Sequence, residues 1–136
     1  MALRQEEKFM EAFHRLTVLV VEDDWLLRQD LVSSLQDEGA TVLEAATGAG
    51  ALAVMRGGEK VDLLVTDIHL ANAVTGWEVA EAFRASDPKL LVIYASGNPP
   101  NDSRRVAGSL FLSKPVAISR LVRACNELLA HSPSHP

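Results

Sequence analysis

Four short groups of polar residues in this chain could act together: Glu22-Asp23, Asp67 with His69, Ser96-Gly97 and Lys114-Pro115. They supply carboxylates, a hydroxyl and an ammonium. Gathered in one place, the carboxylates repel one another unless a cation compensates them. A hard divalent ion meets that need, and Mg²⁺ typically takes one or two carboxylates plus phosphate oxygens. A carboxylate can also attack phosphorus and yield an acyl phosphate. Such a transfer asks mainly for positioning and for neutralisation of the charge on the equatorial oxygens. Mg²⁺, the Lys114 ammonium and the Ser96 hydroxyl are a suitable set of neutralisers. Asp67 stands alone and reads as the nucleophile, whereas the neighbours Glu22 and Asp23 are suited to holding metal.

Each group follows a short apolar run. The runs are 17–21 (TVLVV), 41–45 (TVLEA), 63–66 (LLVT), 90–94 (LLVIY) and 110–112 (LFL). Most lack polar alternation, the pattern of strands buried on both faces. Helical patterns lie between them. Leu27, Leu31 and Leu35 form the apolar repeat of the first, which stops at Gly39, a residue suited to a helix C-terminus. Thr47 is the N-cap of a short second helix ending at Gly57-Gly58, and residues 77–85 carry Val79, Ala82 and Phe83 as a third. Ile118, Leu121, Val122, Cys125, Leu128 and Leu129 make the stripe of the last. Alternating strands and helices predict an α/β, doubly wound, five-stranded parallel sheet, with any ligand beyond the carboxyl ends of its strands. That is where all four polar groups fall.

The fourth connection breaks the pattern. Between Tyr94 and Leu110 the chain reads ASGNPPNDSRRVAGS, and Pro99-Pro100 forbids a continuous helix there. The expectation is a loop with at most a stunted helix over 103–107.

Duller roles exist for each residue. Asp24 is read as the N-cap of the first helix. Cys125, the lone cysteine, excludes an internal disulfide and a thiolate cluster, and its apolar stripe makes it a buried, inert thiol. His69 sits in a loop at the rim and reads as solvated. It is the order and placement of the four groups together that carry weight.

The chain has 136 residues, one ordinary domain, with a composition 48% hydrophobic and 23% charged that predicts a packed core. A formal net charge of -5 argues against direct nucleic-acid binding, which needs clustered Lys and Arg. No apolar run approaches the ~20 residues of a membrane span. The first ten residues have no signal-peptide pattern. A cytoplasmic chain without membrane partners is expected.

The blocks VLVVEDDWLLR, LLVTDIHL, VIYASG and FLSKP resemble the signature of response-regulator receiver domains, over roughly residues 16–130. The resemblance implies a flavodoxin-like sheet in the order 2-1-3-4-5. It implies a switch that accepts a phosphoryl group from a histidine kinase or histidine phosphotransfer protein and then engages an unknown downstream protein. Such a switch is not an enzyme in the ordinary sense, though it catalyses its own phosphorylation and dephosphorylation. By the same resemblance Asp67 is the phosphoacceptor, Asp23 a direct Mg²⁺ ligand, and Glu22 a ligand through water. His69 offers its backbone carbonyl to the metal, and Lys114, followed by a cis Pro115, contacts the phosphoryl group. Ser96 and Phe111 are the switch pair, with Phe111 changing rotamer into space that Ser96 vacates.

The chain departs from the family pattern at Ala71, where a proline is usual, and in the proline-broken stretch after Ser96. It resembles single-domain regulators whose helix between the fourth and fifth strands is short or missing. A stand-alone receiver is expected, since only the Pro- and Ser-rich tail 131–136, read as disordered, follows the domain. A phosphohydrolase of the haloacid-dehalogenase type would need a second Asp where His69 stands. A degenerate receiver acting only as an interaction module has no reason to keep the whole set. The amphipathic extension 1–15 either packs on its own domain or, as favoured here, forms part of a homodimer interface through Phe9 and Phe13.

Overall fold

The computed structural model describes residues 13–97 and 104–130. Five strands, β1 (Thr17–Val21), β2 (Thr41–Ala45), β3 (Leu63–Asp67), β4 (Leu91–Ser96) and β5 (Leu110–Ser113), form one sheet in the order β2-β1-β3-β4-β5. Every pairing is parallel. The flavodoxin-like order expected of the chain is therefore the order found.

Four helices flank the sheet among the described residues: α1 (Trp25–Asp37), α2 (Gly48–Arg56), α3 (Gly76–Ser86) and α4 (Ile118–Ala130). Strand residues alternate between two cores, as a period of two dictates. Val18, Val20, Leu63, Val65 and Ile93 face α1 and α4, where Val32, Leu35, Leu121 and Cys125 close one core. Leu19, Val21, Leu64, Val92 and Tyr94 face α2 and α3, where Ala51, Val79 and Phe83 close the other.

Local chemistry sets the helix starts. Asp24 accepts from Leu27 N–H and Thr47 from Gly50 N–H, so both expected N-caps are present. Thr75 and Glu78 make a reciprocal capping box for α3. Gly39, at φ +98°, turns the chain out of α1.

Two expectations change. Leu27 is not a core residue of α1: it remains 38% exposed, while Val32 and Leu35 are buried. It lies at the amino end of α1, past the sheet's carboxyl edge, beside Glu22 and Pro115. Phe13, assigned to a dimer face, is 1% exposed within the core of its own domain, with Leu16 beside it. The rest of that extension, Phe9 included, lies outside the described residues. The stretch between β4 and β5 keeps to its expectation of a loop with at most a stunted helix: its described residues 104–109 contain no α-helix.

Candidate phosphoacceptor site

The sheet order places β1 beside β3 and β3 beside β4, so the ends of these strands lie side by side. Asp67 is the last residue of β3, in register with Ala95 of β4. Ser96 ends β4 and pairs with Ser113, directly before Lys114. Glu22 follows β1, its N–H bonded to the Ala45 carbonyl of β2. The parallel ladder thus sets the four groups along one rim.

Lys114 joins the carboxylates. Its Nζ lies 2.8 Å from Asp67 Oδ2 and 2.5 Å from Glu22 Oε1. Glu22 and Asp67 are both buried. Burial pushes the Glu22 carboxyl above its ordinary range, against the opposing pull of Lys114. Burial also works against the Lys114 ammonium, but Asp67 and Glu22 outweigh it and hold its pKa above the ordinary lysine value. The backbone N–H of Lys114 donates to the Ser96 carbonyl at 2.9 Å, which pins the two loops together. Lys114-Pro115 is cis, as the resemblance implied.

Glu22, Asp23 and Asp67 each offer one carboxylate oxygen within 4.8 Å of the others. Two of them are buried and Asp23 is exposed, so the cluster opens to solvent on one side. Oxygen donors in such a group suit a hard divalent ion that retains water. The donor set fits Mg²⁺.

The surrounding backbone holds these groups in place. Asp24 N–H donates to Glu22 Oε2 at 3.0 Å, and Ala71 N–H to Asp23 Oδ2 at 3.2 Å. A proline at 71, usual in the family, would lack that second donor. His69 is exposed, and its backbone N–H approaches Asp67 Oδ1 at 3.3 Å. Phe111 is half-buried on β5, stacked on Tyr94 at 5.2 Å.

Two supporting residues escaped the sequence reading. Arg28 donates from Nη1 to the Glu22 carbonyl at 2.8 Å and from Nε to Glu44 Oε1 at 2.9 Å, tying the acidic loop to β2. Its place one turn into α1 was the available signal. Gly76 opens α3 against the backbone of Asp67: a Cβ there would lie 1.9 Å from the Asp67 carbonyl oxygen. A lone glycine before Trp77 announces nothing of the kind.

A family model described as "Response regulator receiver domain" matches residues 18–126. The chain belongs to the response regulator receiver domain family. It is 33% identical over 136 residues to the sensor kinase CckA of Brucella abortus, covering 93% of this chain and 14% of that protein. It is 31% identical over 131 residues to the alkaline phosphatase synthesis transcriptional regulatory protein SphR of Synechococcus elongatus, covering 88% of this chain and 51% of that one. This receiver domain therefore spans about half or less of the length of these curated relatives. Among solved structures, a response regulator receiver protein from Sinorhizobium medicae superposes with a TM-score of 0.81 at 33% identity, covering 86% of this chain and 96% of that one. The response regulator protein TrrA from Thermotoga maritima, described in complex with Mg(2+)-BeF, superposes with a TM-score of 0.75 at 26% identity, covering 84% and 99%. No helix among the described residues is long and apolar enough to cross a membrane.

Proposed function

We propose that Asp67 is the phosphoacceptor of this two-component receiver and that Glu22, Asp23 and Asp67 hold a Mg²⁺ ion. The observation that carries this reading is the Lys114 bridge: one ammonium within hydrogen-bond distance of both Asp67 and Glu22 in a rim that otherwise gathers negative charge. Bound there, Mg²⁺ supplies charge neutralisation for the oxygens of the transferring group. Glu22 would act through water, and the His69 carbonyl would complete the ion's protein ligands.

The chain's own residues do the rest. An Asp67 carboxylate oxygen forms the new bond to phosphorus while the donor's N–P bond breaks and its electron pair returns to the imidazole nitrogen. Lys114 holds Asp67 in place and meets the negative charge brought by the phosphoryl oxygens. Ser96, buried at the end of β4, is drawn toward the modified Asp67. That movement biases two conformations differently and so changes partner binding, with Phe111 on the neighbouring strand responding. Loss of the phosphoryl group to water, assisted by the same residues, resets the switch.

The donor, a histidine kinase or a histidine phosphotransfer protein, approaches beside this rim. Trp25 and Leu26, 62% and 70% exposed on the first turn of α1, are read as its contact residues. The test is incubation with acetyl phosphate, with and without Mg²⁺, on wild type and Asp67→Asn. Intact mass should rise by one phosphoryl group only in wild type with Mg²⁺. Equal modification of the Asn variant, or no Mg²⁺ dependence, sinks the assignment.

A further inference from the structure

We propose that the Tyr94 hydroxyl is a positioning group that ties the crossover 104–109 to β4 and carries movement of β4 into it. The coupling part rests on the reading of Asp67 as phosphoacceptor; the tether part does not.

Residues 104–109 form no α-helix, so their backbone groups lack the internal ladder an α-helix would supply. Each must find a partner elsewhere. Val106 N–H donates to Tyr94 Oη at 3.1 Å. The Ala107 carbonyl accepts from Arg84 Nη1 of α3 at 2.7 Å. Ser109 returns to the Val106 carbonyl through its Oγ at 2.7 Å, and Arg105 donates to the Ser109 carbonyl. The Arg104–Glu81 pair also reaches α3, but both side chains are exposed and water screens them. Among these contacts, the Tyr94 bond is the one that joins the crossover to β4.

Tyr94 is suited to that task because it cannot move alone. It is fully buried, with Trp77 at 4.8 Å and Phe111 stacked at 5.2 Å. Burial raises its pKa, so the hydroxyl stays neutral. Arg105 lies 5.2 Å over the Phe111 ring and closes the stack toward the crossover. Tyr94 and Ser96 are two apart on β4 and share one face of the sheet. A displacement of Ser96 toward phosphorylated Asp67 therefore reaches the Tyr94 ring through one short length of strand. The ring passes it to Val106. Phe111, already against Tyr94, moves with this stack rather than turning alone into a vacant space.

Tyr94→Phe removes the hydroxyl and keeps the stacked rings. The readout is hydrogen exchange of the Val106 amide, followed by NMR, with beryllofluoride plus Mg²⁺ as the phosphoryl mimic. In the unmodified state the variant's Val106 amide should exchange about fivefold faster than wild type, the loss of one ordinary hydrogen bond. In wild type, exchange at Val106 should change when beryllofluoride binds. In Tyr94→Phe, ¹⁹F NMR should still show bound beryllofluoride, with no response at Val106. The tether is overturned if Val106 in the unmodified variant exchanges at the wild-type rate. The coupling is overturned if Val106 responds equally in both proteins, or in neither while both bind. Should wild type bind no beryllofluoride, the phosphoacceptor assignment fails and the coupling falls with it, while the tether is still decided by the unmodified proteins.

Discussion

Lys114 Nζ stands between two buried carboxylates, 2.8 Å from Asp67 and 2.5 Å from Glu22, although the residues come from three different strand ends. The ammonium occupies a place where charge must be balanced before any phosphoryl group arrives. On the proposed assignment, the interaction that holds the site together also serves the transfer.

Lys114→Met leaves Glu22 and Asp67 facing one another without that ammonium. Removing one member of a buried pair costs several kcal/mol, and partial exposure of Lys114 at 19% reduces it. We expect a loss of about 2 kcal/mol at neutral pH, partly recovered by Mg²⁺, in urea unfolding with and without the ion. The folded lysine pKa is raised, so its contribution is present below the unfolded value and disappears as pH rises through the folded one. An unchanged urea midpoint would show that the bridge contributes nothing.

Gly76→Ala should strike the acceptor without touching any charged group. The new methyl would sit 1.9 Å from the Asp67 carbonyl oxygen, which is backbone and cannot swing aside. The amino end of α3 must shift, at about 3 kcal/mol of stability, and acetyl phosphate labelling should slow. Wild-type thermal stability together with wild-type labelling would contradict the close packing.

His69→Ala tests the division between side chain and backbone. The imidazole is exposed while the backbone N–H approaches Asp67. The substitution should shorten the lifetime of the phosphorylated state by opening the rim to water, with Mg²⁺ affinity nearly intact. A large loss of Mg²⁺ binding in a titration would count against a role confined to the backbone.

Cys125 should resist thiol reagents. It is 1% exposed and burial pushes its thiol up to about 12. At pH 8 a disulfide reagent should label it only as fast as the domain opens, and promptly in urea. Because the folded pKa is the higher one, stability should fall as pH climbs from the unfolded thiol value toward 12. Rapid labelling of the native protein would place Cys125 at the surface instead.

Much of this receiver domain was legible in the residue order. Apolar runs without alternation, such as those containing Val18–Val21 and Leu63–Val65, announced strands covered on both faces, and those strands sit at the middle of the sheet. Asp24 and Thr47 declared their caps, because capping is chemistry between near neighbours. Glu22, Asp23, Asp67, Ser96 and Lys114 were marked by following strand ends, and the parallel ladder brings them to one rim.

Other features belonged to the tertiary structure. Periodicity shows that Leu27 and Phe13 are apolar on a helical face but not what covers that face; packing left one at the rim and buried the other. The Gly76 contact and the Arg28 bond to the Glu22 carbonyl are made with backbone atoms, which look alike at every position. The bond between Tyr94 and Val106 spans a connection with no periodic pattern of its own. Residue order therefore determined which groups could do chemistry and on which strand ends they stand. Only the packed chain decided how they are held, because that depends on distances between segments remote in sequence.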